Sequence, residues 1–151
     1  MSIRVAQNIN ASPERIWQVI TDIDNAAQNI EHIQKVEVLE RPVNGVVGLK
    51  WRETRKMFGK EADEVMTIDQ AEPNRFYQTR AENHGAVYQS RMEITPLEKG
   101  CELAMSFESQ PVTIVARLMS LMTFLFAGSV KKMIAQDLAD IKKVAEASEA
   151  A

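Results

Sequence analysis

The sequence predicts an α+β fold in which a curved sheet of seven antiparallel strands is covered by one long C-terminal helix. Seven runs alternate apolar and polar residues, as strands do. Helical signals follow the first run, and from Val112 to about Glu149 nothing breaks a helix except Gly128. Because turn residues separate the runs at short intervals, we expect most strands to pair as hairpins.

Alternation locates the strands. Ile3, Val5 and Ile9 predict a first strand at about residues 2–10. Turn signals such as Asn44-Gly45 separate the later runs. The six further strands are predicted near residues 34–41, 47–58, 60–70, 75–83, 86–95 and 101–109.

Two short helices are predicted after the first strand. Ser12-Pro13-Glu14 supplies an N-cap, a proline at the first helical position and an acid in the first turn. Apolar residues then recur at helical spacing, namely Ile16, Val19, Ile20 and Ile23. A second helical piece is predicted near Asn25 to Ile30, and the stripe on the first should pack on the sheet.

The long C-terminal helix has two dissimilar halves. Its second half is amphipathic, with one apolar face made of Val130, Ile134, Leu138, Ile141 and Val144. Its first half is apolar nearly all round, which a break near Gly128, a docking contact with a membrane or protein, or a homodimer would explain. We favour the break, because glycine is costly inside a helix. The dimer would use Ile114, Leu118, Leu121 and Leu125.

Composition narrows the functional classes. The chain has 151 residues, of which 45% are hydrophobic and 26% charged, and we expect a single domain over residues 1–146 with a frayed tail at 147–151. Its net charge of −3 disfavours a nucleic-acid partner. Arg117 and its polar neighbours disfavour a stable membrane span. A single cysteine and an N-terminus without signal-peptide features favour a cytoplasmic location.

Several segments together carry a resemblance to a known family. They are the opening strand, SPERIWQVITDIDN in the first helix, GLKWRETR followed by a Gly-Lys-Glu start to the next strand, a last strand after KG, and a closing helix ending in DLADIKKVAE. From about Ile3 to Glu146, this pattern resembles the START-like SRPBCC superfamily, polyketide cyclase/dehydrase type. The resemblance implies a helix-grip fold with a cavity between sheet and helix. It also implies lipid, polyketide or quinone-like ligands, and cyclase or aromatase activity in some members.

The third predicted strand raises a question about its buried face. Alternate residues of this strand are Leu49, Trp51, Glu53, Arg55 and Met57, which place two charges on the more apolar side. If that side faces a cavity, the mixture suits a ligand site, which is typically apolar with a few polar groups. Otherwise a bulge would turn both charges toward solvent. Further lining is predicted from Tyr88, Ser90, Met92, Met105 and Phe107, with Phe76, Gln78 and Arg80 as candidates on the fifth strand.

We therefore predict a protein that binds a small, largely hydrophobic molecule, without cofactor or metal. One alternative is a cofactor-free cyclase or aromatase, in which Glu53, Arg55 or Tyr88 would act on a poly-keto chain, Glu53 being the candidate acid or base. A second alternative is a module that docks on a protein or membrane through the apolar segment 112–128. His32 and His84 lack a second ligand at metal-like spacing, and Cys101 is expected in the core. Asp137 falls at the rim of the inner face of the last helix, where we expect a solvated edge position rather than the alternative, an approach to the cavity.

Overall fold

Seven antiparallel strands form one sheet in the computed structural model, which describes residues 2–57, 59–83, 86–111 and 127–149. The strand order is β1-β7-β6-β5-β4-β3-β2. The strands are β1 (Ser2–Ile9), β2 (Ile33–Glu40), β3 (Lys50–Met57), β4 (Lys60–Glu72), β5 (Phe76–Asn83), β6 (Ala86–Pro96) and β7 (Cys101–Pro111). The predicted fold class is confirmed, and each predicted strand lies within a few residues of the observed one.

The connection from β1 to β2 contains the two predicted short helices. In α1 (Pro13–Thr21), the Ser12 hydroxyl accepts a hydrogen bond from the Arg15 backbone N–H at 3.1 Å, as an N-cap should. Ile16, Val19 and Ile20 form its buried face. A 3₁₀ turn at Ile23–Asn25 leads into α2 (Ala26–Asn29). This connection carries the chain from one edge strand of the sheet, β1, to the other, β2.

The last helix, α3 (Ala127–Glu149), packs against β1 and α1. Its buried apolar residues are Ile134, Leu138, Ile141 and Ala145, which join the core formed by α1 and the sheet. Val130 and Val144 are half-buried at the margin of the same stripe. The predicted amphipathic face is therefore the one that α3 buries. Gly128, where the break was proposed, lies in the first turn of α3. The dimer residues Ile114, Leu118, Leu121 and Leu125, and the rest of residues 112–126, lie outside the described residues.

Candidate functional site

The inner face of β3 joins the protein core at one end and carries charge at the other. Leu49, just before the strand, and Trp51 are buried in the core cluster that also contains Leu138 of α3. Glu53 and Arg55 follow at alternate positions, so their side chains lie on the same face as Trp51. The β3–β4 pairing runs from Lys50 to Met57 without a register shift, so no bulge between these two strands turns Glu53 or Arg55 away from this face.

Glu53, Arg55 and Asp137 form an interior ionic cluster between β3 and α3. Arg55 donates from Nη1 to Oδ2 of Asp137 at 2.7 Å and from Nε to Oε2 of Glu53 at 3.2 Å. The side chains of Arg55, Glu53 and Asp137 are 15%, 13% and 9% exposed. The alternative in which both β3 charges reach solvent is therefore wrong. The cluster ties β3, the strand next to the β2 edge of the sheet, to the C-terminal helix.

The expectation that Asp137 lies at a solvated edge of α3 is also wrong. The residue is nearly fully buried, beside Leu138 on the inward side of the helix. A carboxylate tolerates this position because Arg55 approaches it from the sheet. The two residues are separated by 82 positions in sequence, so helical periodicity alone had no means of pairing them.

Glu64 adds a third carboxyl group, which sequence reasoning missed. It lies directly opposite Glu53 in the β3–β4 ladder. Burial raises the pKa of Glu64, the negative charge of Glu53 raises it further, and Arg55 lowers it in part. A signal was present in the sequence, because Ala62, Glu64 and Met66 alternate across a short hairpin from the β3 residues in question.

The charges in the cluster shift one another. Burial by itself would lower the pKa of Arg55, but the carboxylates of Glu53 and Asp137 outweigh it and raise that pKa. Burial raises the pKa of Asp137, and the opposing effect of Arg55 does not fully offset it. Arg55 is therefore a permanent cation, whereas Asp137 and Glu64 hold protons more readily than exposed carboxyls do.

Aromatic and sulfur-containing side chains continue the inner face across β6 and β7. The rings of Tyr88 and Phe107 stack with centroids 5.8 Å apart and planes at 24°. Ser90 shares a 2.5 Å hydrogen bond with Thr79 of β5. Met92 is buried and Met105 is half-buried, and the two pair across the β6–β7 ladder. These residues make an apolar surface next to the ionic cluster, with few polar groups of its own.

Comparison with known proteins decides the family. The family model described as polyketide cyclase/dehydrase and lipid transport matches residues 1–146. The chain belongs to this family. Among curated proteins, no sequence match is found. The family match confirms the polyketide cyclase/dehydrase resemblance predicted from sequence. A START superfamily protein from Mycobacterium smegmatis has a similar fold, with a TM-score of 0.64 at 17% identity, over 89% of this chain and 97% of its own.

Solved structures support the same fold for this polyketide cyclase/dehydrase family member. The protein TTHA0849 from Thermus thermophilus has a TM-score of 0.81 at 15% identity, over 98% of this chain and 99% of its own. The Zhui aromatase/cyclase of a Streptomyces species has a TM-score of 0.74 at 17% identity, over 97% and 93%. The di-domain aromatase/cyclase StfQ of the steffimycin pathway has a TM-score of 0.74 at 12% identity. This chain aligns over 99% of its length and spans about half of StfQ, 52%.

One strand of this family member presents the face opposite to the one expected. On β5, Phe76, Gln78 and Arg80 were candidates for the lining, but the buried residues are Tyr77, Thr79 and Ala81. The structure instead has the Arg91 guanidinium 3.9 Å above the Phe76 ring, Gln78 bonded to Asp69, and Arg80 paired with Glu82 at 2.6 Å. Both sets of alternate residues on β5 contain one aromatic residue and at least one polar residue, so alternation did not show which set is buried.

The remaining sequence candidates take other roles. Cys101 is buried as predicted, and burial raises the pKa of its thiol, so it is not an activated nucleophile. His32 is half-buried near Asp137, and His84 and the Met57 side chain lie outside the described residues. Within the described parts of the chain, no three His, Cys, Asp or Glu side chains are arranged so that they could hold a metal ion. Over the same parts, no helix is long and apolar enough to cross a membrane.

A large surface groove lies elsewhere. Its volume is about 690 Å³, and it is open to solvent. It is lined by the β1–α1 connection, the β6–β7 turn and one α3 residue, namely Asn10, Ala11, Ser12, Pro13, Pro96, Leu97, Gly100 and Glu146. None of these belongs to the ionic cluster or to the apolar inner face. We therefore place the candidate site at the inner face, not in this groove.

The raised pKa of Glu64 predicts a pH-dependent effect of Glu64→Gln. The folded state binds the Glu64 proton more tightly than the unfolded state, so the stability this proton contributes is present at low pH and lost as pH rises through the folded-state pKa. Relative to wild type, Glu64→Gln should therefore gain stability between about pH 4 and about pH 7. Urea unfolding of both proteins across this range measures the difference.

Glu61→Gln is the matched control, because Glu61 is an exposed acid on the same strand. It should leave the pH profile of the free energy of unfolding nearly unchanged. If the free energy of unfolding of Glu64→Gln minus that of wild type stays constant, or falls as the pH rises toward neutral, the burial of the Glu64 carboxyl is contradicted.

Proposed function

We propose that residues 1–146 bind a small, largely hydrophobic molecule, such as a lipid, polyketide or quinone-like compound, between the inner face of the sheet and the C-terminal helix. The observation that carries this proposal is an ionic cluster set into a largely apolar face. Glu53, Arg55 and Asp137 meet where Trp51 and Leu138 begin the core. An apolar wall with a few convergent polar groups is the usual make-up of a small-molecule site.

Stability alone gives little reason for such a cluster. Taking ions out of water is costly, and well-packed hydrophobic residues in place of a buried ion pair are often neutral or stabilising by about 1–4 kcal/mol. We therefore assign Arg55 and its partners a role in ligand recognition, in which they orient a polar group of a largely apolar ligand. The stacked pair of Tyr88 and Phe107 offers a flat surface to the apolar part of the same guest.

The family description and two structural neighbours support the choice of ligand class. The family description includes both polyketide cyclase/dehydrase and lipid transport, and Zhui and StfQ are named as aromatase/cyclases. Methionines on the inner face, such as Met66, Met92 and Met105, are flexible and polarisable, so they adapt to guests of different shape. We propose Leu49, Trp51, Glu53, Arg55, Met57, Tyr88, Ser90, Met92, Met105 and Phe107 as the lining.

Native mass spectrometry of the purified protein, followed by solvent extraction, tests binding. We expect an apolar compound of defined mass that is retained by the folded protein and lost on denaturation. Met66→Trp should displace it, because Met66 lies opposite Trp51 on the inner face. Val65→Trp, one position away on the outer face opposite Arg52, should retain it. Repeated recovery of empty wild-type protein, or equal loss in both variants, would contradict the proposal.

A second candidate function is a cofactor-free cyclase or aromatase at the same site. It is favoured by the raised pKa of Glu64 opposite Glu53, because a carboxyl that holds its proton more readily than an exposed one is better suited to donate it to a carbonyl oxygen. In this reading Glu64→Gln, which removes that acid, and Glu53→Gln, which removes the candidate acid or base predicted from sequence, should each lower turnover of a poly-β-keto thioester by about 10²-fold or more while affinity changes little. Unchanged turnover, or none in wild type, would leave binding as the function.

A further inference from the structure

The ionic cluster carries an excess of negative groups. Glu53 and Asp137 contact Arg55, and Glu64 faces Glu53 across the β3–β4 ladder. The group therefore has three carboxyls around one guanidinium. His32 lies near enough to lower the pKa of Asp137, but this effect is smaller than that of Arg55. The guanidinium is already engaged by two carboxylates.

Two buried polar atoms beside this cluster lack partners. Oδ1 of Asp137 and Nε1 of Trp51 have no hydrogen-bond partner within the described part of the chain. Their residues are 7% and 3% exposed. A carboxylate oxygen accepts hydrogen bonds and an indole N–H only donates. A buried polar atom without a partner is costly, so both atoms are suited to meet groups that arrive with a guest or with water.

We propose that the site selects an uncharged guest bearing a hydroxyl or similar hydrogen-bond donor, and that it excludes carboxylates. This inference rests on the proposed function and specifies the ligand class. A hydroxyl can donate to Oδ1 of Asp137 and can accept from an N–H such as that of Trp51. A carboxylate has no proton to donate to that oxygen. It would also enter a buried site already rich in negative groups, where like charges repel strongly.

A series of probes with one ring system tests the selection. β-Naphthol offers a hydroxyl donor, its methyl ether lacks the donor, and β-naphthoate replaces the hydroxyl with a carboxylate. Isothermal titration at neutral pH compares their affinities for the full chain. We expect β-naphthol to bind at least about tenfold more tightly than either of the others, as loss of a hydrogen bond to a charged group predicts.

Variants that remove one negative charge show whether β-naphthoate is excluded by electrostatic repulsion or by a poor fit of its shape. Asp137→Asn should narrow the preference for β-naphthol over β-naphthoate by about tenfold, because one negative charge leaves the site. Asp69→Asn changes an exposed carboxylate on the outer side of β4 and should leave the preference unchanged. Circular dichroism confirms folding, and if Asp137→Asn fails to fold, Glu53→Gln removes a charge from the same cluster and carries the same expectation.

Each outcome bears on a different claim. Binding of β-naphthoate as tight as that of β-naphthol would overturn the inference and leave the proposed function standing. Equal binding of the methyl ether would overturn the requirement for a donor. If none of the three probes binds, the proposed function is contradicted and the inference falls with it.

Discussion

Replacing Arg55 with methionine is expected to lower the free energy of unfolding by about 3–5 kcal/mol, the usual cost of removing one partner from a buried ionic group. Methionine keeps much of the side-chain volume but leaves Glu53 and Asp137 without their cation. Both carboxyls are nearly buried, so water does not readily replace the guanidinium. The loss should shrink in mildly acidic buffer, because protonation removes the unpaired charges.

Arg52→Met is the matched control for this prediction. Arg52 lies on the same strand and pairs with Glu37 at 3.0 Å, but the two side chains are 43% and 50% exposed. Exposed ion pairs contribute at most about 1 kcal/mol, so this variant should unfold close to wild type in urea. Similar losses from Arg55→Met and Arg52→Met would show that the interior cluster is solvated, contrary to the structure.

Leu138→Ala is the second substitution with a large expected effect, a loss of about 2–5 kcal/mol in the free energy of unfolding. Leu138 is fully buried, and it packs in the cluster that unites α3 with α1 and the sheet. Truncation removes apolar contact area and leaves a cavity at the place where the helix is anchored. Chemical denaturation monitored by circular dichroism measures the change.

Leu97→Ala provides the comparison for Leu138. Leu97 lies in the β6–β7 turn and is 43% exposed, so its truncation should change stability by no more than about 0.5 kcal/mol. If Leu138→Ala is as mild as Leu97→Ala, Leu138 does not anchor α3 to the sheet.

The strands and α1 could be predicted because local rules determine them. Alternation fixes a strand when one face is apolar, and Ser12 with Pro13 marks a helix start by capping chemistry alone. On β5, both sets of alternate residues contain aromatic and polar side chains, so alternation did not identify the buried face. The side that carries Tyr77 and Thr79 became known only from the pairing of β5 with β4 and β6.

The candidate site was predictable only in part. Glu53 and Arg55 stood out in the sequence because they alternate with apolar residues on one face of β3. Of the two hypotheses for them, the structure agrees with the one in which both side chains point to the interior. Asp137 was expected in solvent because a helix viewed alone shows it at the margin of the apolar stripe. Glu64 was overlooked, although hairpin register places it opposite Glu53. Contacts between distant segments, rather than local pattern, complete the cluster.

The central claim is that a guest binds between the inner face of the sheet and the C-terminal helix. Methyl NMR of protein labelled at methionine, titrated with β-naphthol, tests it most directly, with resonances assigned by Met→Leu substitutions. We predict saturable shifts at Met66, Met92 and Met105, which share the inner face. Saturation of the protein while these three methyl resonances stay unchanged would place the guest elsewhere and contradict the account.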